Sequence, residues 1–201
     1  MDVSTLRRRG ILFIVSAPSG AGKTTISARA LLEIDGLEMS VSCTTRAPRA
    51  GERDGHDYTF LDRGEFERRR AEGAFAESAE VHGFLYGTPR APIDEALAVG
   101  RDMLLDIDVQ GARQMKQRYA DDAVAVFVLP PSELELERRL RARGTDPAEV
   151  IQRRLERARA EMEEYRRYDY YLVNRDVDES VRLFAAIVAA ERVRVSRLAG
   201  S

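Results

Sequence analysis

The 201-residue chain is 44% apolar and 33% charged with a formal net charge of −2, which excludes a global positive field for nucleic acid or an anionic membrane. Its length suits one sizeable domain, or a core domain carrying small insertions. The single cysteine, Cys43, excludes an intramolecular disulfide and fits a reducing compartment, and no apolar stretch is long enough for a transmembrane helix.

Arg7, Arg8 and Arg9 precede an apolar run, but that run is too short for a signal-peptide core. No export signal is read, and the expected address is the cytoplasm. Residues 11–25 read ILFIVSAPSGAGKTT. Five apolar residues suit a strand buried on both faces of a parallel sheet. They pass into small residues, then Gly20, Gly22, Lys23 and Thr24, and into a helix-forming segment. A strand, a glycine-rich turn and a helix start make a phosphate-binding loop, in which backbone N–H groups and the helix dipole face phosphate oxygens. Lys23 would reach the outer phosphates and the Thr24 hydroxyl would ligate Mg²⁺. Thirty of the 32 basic residues are arginines, so a lysine in this slot is a marked choice of a compact ammonium.

Further along, residues 25–33 predict a helix with Ile26, Ala30 and Ile34 on one face. Residues 37–92 change texture, with short alternating runs, scattered glycines and both histidines, and predict a small insertion of short strands with one helix near 63–72. A helix over 93–99 ends at Gly100, and a buried strand over 103–107 finishes between Asp106 and Asp108. A helix over 109–119, a strand over 123–129 and a helix over 133–142 follow. Gly144, Thr145, Asp146 and Pro147 break the chain before a long Arg- and Glu-rich helix to about residue 167, with its apolar stripe at Ile151, Leu155, Ala158, Met162 and Tyr165. A strand over 170–173 and a helix from Asp178 close the pattern. Strands alternating with helices predict a doubly wound parallel sheet.

A second polar stretch, residues 40–60, reads SVSCTTRAPRAGERDGHDYTF. Arg46 and Arg49 lie three apart among hydroxyls, with Tyr58 after them, and two guanidinium forks beside hydroxyls suit a phosphate. Read alone, the stretch is equally a solvated loop. His56 and His82 have no metal-ligand spacing.

Taken together, the two stretches resemble the guanylate kinase family. Its signature is met by Thr44, Thr45, Arg46, Arg49, Glu52, Gly55, Tyr58 and Phe60. Glu77, Tyr86-Gly87-Thr88, residues 105–111, Arg143-Gly144-Thr145 and Asn174 recur in order, so the resemblance covers nearly the whole chain. The one departure is Ala17, where the loop pattern has glycine.

The resemblance implies a P-loop NTPase-type α/β fold, with a core over 1–36 and 93–201 and a helical lid at about 143–155. Residues 37–92 would be an inserted α+β subdomain that binds the nucleoside monophosphate. It implies transfer of the γ-phosphoryl of ATP to GMP with Mg²⁺, in purine metabolism and GMP recycling, by a monomer or small homo-oligomer with no nucleic-acid or membrane partner. Lys23, Arg46, Arg143 and Arg154 would be catalytic. ATP would lie on Ala17, Pro18, Ser19, Gly20, Ala21, Gly22, Lys23, Thr24 and Thr25, with Asn174 near adenine. GMP would lie on Ser42, Arg46, Arg49, Tyr58, Glu77, Tyr86, Thr88 and Asp108, with Glu77, Ser42 and Asp108 reading guanine. The metal would meet Thr24, and Asp106 through water. The rival reading is an inert guanylate-kinase-like module that binds protein partners.

Overall fold

The apolar run after Gly10 forms β1 (Leu12–Ser16), buried along its whole length. In the computed structural model, which describes residues 7–81, 83–142 and 147–198, this strand is the centre of a parallel sheet. The other core strands are β2 (Leu37–Met39), β7 (Asp102–Asp106), β8 (Ala123–Leu129) and β9 (Tyr170–Val173), and the spatial order is β2-β7-β1-β8-β9.

Alternate residues of β1 face opposite layers, as the two-residue period of a strand requires. Phe13 and Val15 join a cluster with Ile26 and Ala30 from α1 (Lys23–Glu33) and Phe184 and Val188 from α7 (Val177–Arg192). Leu12 and Ile14 join the other cluster, with Ile93 and Leu97 from α3 (Arg90–Ala98) and Met115 from α4 (Val109–Arg118). Helices on both faces of a parallel sheet are the doubly wound arrangement expected from the alternation of elements. Asp102, at the start of β7, is fully buried but not uncompensated. It accepts from Arg8 at 2.6 and 2.8 Å, Arg192 at 2.7 Å and the Ile11 amide at 2.9 Å. This anchors the lower end of the strand whose upper end carries Asp106.

A second sheet has the order β4-β3-β6-β5, built from β3 (Cys43–Thr44), β4 (Thr59–Phe60), β5 (Phe75–Val81) and β6 (Phe84–Pro89). Its helix, α2 (Arg63–Ala71), is capped by Asp62 and packs Phe66 on Phe75 at 4.6 Å between ring centroids. A third small core, of Leu136, Leu140, Ile151, Leu155 and Ala158, joins α5 (Glu133–Ala142) to α6 (Ala148–Met162).

Two expectations shift. The sequence placed residue 37 onward in the insertion, yet β2 pairs with β7 in the core sheet. The strand is three residues long and buries only Leu37, so it left no apolar run to read. The long helix ends at Met162, and Glu163–Arg167 tightens into a 3₁₀ turn. There Glu164 accepts from Arg113 of α4 at 3.0 Å, which draws the turn toward the core. Arg157 pairs with Glu161 at 2.8 Å as its spacing predicts, whereas Arg159 reaches Glu133 on α5 at 2.9 Å rather than Glu163.

Candidate functional site: two clefts that share a lysine

The loop after β1 turns through Gly20 (φ 95°) and Gly22 (φ 96°), both in the left-handed region where a side chain would be strained. Ala17 instead packs its methyl group against the core cluster. Gly22 is the N-cap of α1, and among the described residues no side chain caps the helix start, which leaves its first amides to the loop. The loop is braced from below. Asn174, 2% exposed, donates from Nδ2 to the Ala21 carbonyl at 2.7 Å and accepts from Ser180 Oγ at 3.2 Å. Arg139 donates to the carbonyls of Ala21 at 3.3 Å and Asn174 at 3.0 Å.

Lys23 lies at the head of α1 with Nζ 2.6 Å from Asp106 Oδ1 and 2.8 Å from the Ile107 carbonyl oxygen. Ser16 Oγ donates to that same carbonyl at 2.9 Å. The end of β7 therefore aims the ammonium across the loop. Two open clefts meet there. One is lined by residues 17–20 and 22–25 with Arg154, Arg157 and Glu161. The other is lined by Ser42, Arg49, Tyr58, Glu77, Tyr86, Asp106 and Ile107, among others. Ser19, Lys23, Thr24, Val81 and Asp108 line both.

In the second cleft, Glu77 is 4% exposed and accepts from Thr88 Oγ1 at 2.6 Å. Burial pushes its carboxyl up from 4.5 to about 7; the Thr88 hydrogen bond opposes that rise and the Asp108 carboxylate adds to it. Asp108 caps α4 by accepting from the Gly111 amide at 2.9 Å, and its other oxygen takes a long bond from Gln110 at 3.3 Å. Ser42 Oγ and Thr88 Oγ1 are 3.3 Å apart. Arg46 donates to Glu52 at 2.8 Å and to the Ala47 carbonyl at 2.6 Å, and stacks on Tyr58 and Phe60. Glu52 also accepts from the Arg49 amide at 2.7 Å, so one carboxylate shapes both arginines' segment, and those contacts hold its pKa below the usual value.

Most residues expected at the site gather around these clefts, with four differences. Thr88 is fully buried and reaches the cleft through Glu77. The Asn174 side chain, expected beside adenine, is sealed beneath the loop because the Ala21 carbonyl needs a donor there. Arg46 lines neither cleft: its guanidinium stacks on Tyr58 and is held by Glu52, and its buried Nε has no partner among the described residues. Ala21 is fully buried and lines neither cleft, whereas Arg154 lines the first and bonds Ser19 Oγ at 2.7 Å. His56 is exposed beside Asp57, while His82 and Arg143 lie outside the described residues. Arg139 was missed: its pairing with Glu135 at 2.8 Å is ordinary helix spacing, and one more arginine in so arginine-rich a chain carries no signal.

The family model described as guanylate kinase matches residues 9–191. The guanylate kinase of Sphingopyxis alaskensis is 54% identical over 199 residues, covering 99% of this chain and 90% of that relative. That of Paramagnetospirillum magneticum is 53% identical over 197 residues, covering 98% and 92%. The crystal structure of guanylate kinase from Anaplasma phagocytophilum is similar with a TM-score of 0.82 at 35% identity, over 97% of this chain and 93% of that one.

Proposed function

The chain belongs to the guanylate kinase family, and on that premise we propose how its two clefts divide the family's reaction. The protein is a nucleoside monophosphate kinase that transfers the γ-phosphoryl group of ATP to GMP, giving ADP and GDP. The observation that carries the division of labour is the pair of clefts that meet at Lys23.

ATP lies on the loop of residues 17–25, its phosphates against the amides at the head of α1. Lys23 exchanges Asp106 for the outer phosphates. The donors present fit a hard cation: the Thr24 hydroxyl at the head of α1, and Asp106, whose carboxylate lines the neighbouring cleft, through water. When bound, Mg²⁺ supplies positive charge to the phosphate oxygens. Arg154, which lines the phosphate-loop cleft, adds charge to the migrating group, and the family resemblance assigns the same part to Arg143 of a lid at about 143–155.

The second sheet serves as the nucleoside-monophosphate-binding subdomain. Arg49 and Tyr58 hold the GMP phosphate, joined by Arg46 once its guanidinium exchanges Glu52 for it, Glu77 accepts the N1–H and amine donors of guanine, and Ser42, Asp108 and Tyr86 complete the pocket. Thr88 orients Glu77. No general base is needed, because the attacking phosphate oxygen is largely ionised at neutral pH, with a second pKa near ~6. What the protein supplies is alignment and neutralisation of two mutually repelling anions. The place of the reaction is purine nucleotide metabolism and GMP recycling, with the cytoplasm as the expected address.

No observation favours the inert binding module, since Lys23, Thr24, Arg46 and Arg49 are all present in the sequence. An ADP-release assay with Mg-ATP against GMP, AMP, CMP and UMP tests the reading. Turnover with GMP alone supports it, and no turnover with GMP overturns it.

A further inference from the structure

We propose that one face of α4, formed by Gly111 and Gln114, aims the base-reading carboxylate, so that both are positioning residues for GMP specificity. The proposal rests on Glu77 reading guanine.

Gly111 is the third residue of α4 and is not among the glycines with positive φ, so its backbone does not call for glycine. Its space does. A Cβ at Gly111 would lie 2.7 Å from Glu77 Oε2 and 3.1 Å from Glu77 Cδ. The carboxyl group cannot retreat freely, because Thr88 holds its other oxygen at 2.6 Å and the side chain is almost fully enclosed. A methyl group at this point pushes the carboxyl into the cleft or off Thr88. Either movement displaces the acceptor pair from the guanine donors.

Gln114 is one turn further along the same face. Its Oε1 accepts from the Ser78 amide at 3.1 Å, and its Nε2 donates to the Ser78 carbonyl at 2.9 Å. Ser78 follows Glu77 on β5, the edge strand of the second sheet. The side-chain amide thus stands in for the missing neighbour strand and ties the insertion to the core next to the base reader. Arg46 and Arg49 lie near the opposite edge of that sheet, in the segment between β3 and β4. The arrangement pins the base end of the substrate site and leaves the phosphate end free of α4.

The test compares the full chain with Gly111→Ala, Gln114→Ala, Glu77→Gln and the double variant Glu77→Gln/Gly111→Ala, measuring kcat and KM for each substrate together with melting temperature. Gly111→Ala should raise KM for GMP roughly 10- to 100-fold, as small misplacements of a reading group do. KM for Mg-ATP should stay within about twofold. Its melting temperature should fall by no more than a few degrees, because the helix preference of alanine offsets part of the cost of displacing the carboxyl. Gln114→Ala should show the same split between substrates to a lesser degree. The double variant should be no worse than Glu77→Gln, because both changes act on one group.

Parental KM for GMP in both α4 variants, beside a damaged Glu77→Gln, overturns the proposal alone. Equal losses for both substrates that track a falling melting temperature overturn it too, as does an additive loss in the double variant. Parental GMP turnover in Glu77→Gln overturns the base-reading assignment and this proposal with it.

Discussion

Lys23 Nζ and Asp106 Oδ1 are 2.6 Å apart, a contact between the head of α1 and the end of β7. The pair holds the ammonium between the clefts before any phosphate arrives, and the phosphate then replaces Asp106 as its partner. Lys23→Ala should reduce kcat by roughly three orders of magnitude or more while GMP binding persists. Steady-state kinetics with a GMP titration check both halves. Near-parental turnover contradicts the loop assignment.

Glu77 titrates at about 7 in the folded chain against an ordinary 4.5. For an acid shifted upward, the folded state binds the extra proton between those values, so stability is full below about 4.5 and falls as pH rises through about 7. The loss is on the order of 1–3 kcal/mol. Glu77→Gln should flatten this slope in denaturant unfolding across that window. Guanine requires the charged carboxylate, so KM for GMP should fall as pH rises through about 7, and Glu77→Gln should lose that part of the profile. A variant with the parental slope contradicts the assignment of the proton to Glu77.

Asn174 is a brace for the phosphate loop. Asn174→Ala leaves the Ala21 carbonyl with only the longer Arg139 contact of 3.3 Å, and should destabilise the fold by ~1–3 kcal/mol while raising KM for ATP. A raised KM with unchanged melting temperature would instead mark a direct contact with the base of ATP.

The arginines proposed for the phosphates come from separate segments, Arg46 and Arg49 on the second sheet and Arg154 on α6. Shielding two anions from water requires those segments to converge. Small-angle scattering should show the radius of gyration shrinking with GMP and an unreactive ATP analogue together, and an unchanged radius at saturation contradicts closure.

What the sequence makes legible is what period and composition encode. The apolar run into Gly20, Gly22 and Lys23 announces β1 and its loop, because a buried strand and left-handed turns leave few residue choices. The alternation of strands and helices announces a doubly wound parallel sheet, but not its strand order. What it hides depends on contacts across the chain. β2 has one buried residue and owes its existence to pairing with β7. Thr88 and Asn174 are polar residues turned inward, one toward Glu77 and one toward the Ala21 carbonyl, and no local pattern states which way a side chain points. Arg139 is masked by an arginine-rich helix, and only the fold reveals that it spans to the loop.

The most direct measurement of the central claim is the ratio of kcat/KM for GMP to that for AMP in the parent chain and in Glu77→Gln. A carboxylate that accepts two guanine donors meets a lone pair and no amine in adenine. The parent should therefore prefer GMP by roughly four orders of magnitude. In Glu77→Gln the ratio should collapse through loss of GMP turnover, with KM for Mg-ATP little changed. A variant that phosphorylates GMP as well as the parent, with the ratio intact, would show that the buried carboxylate of the second cleft does not read the base.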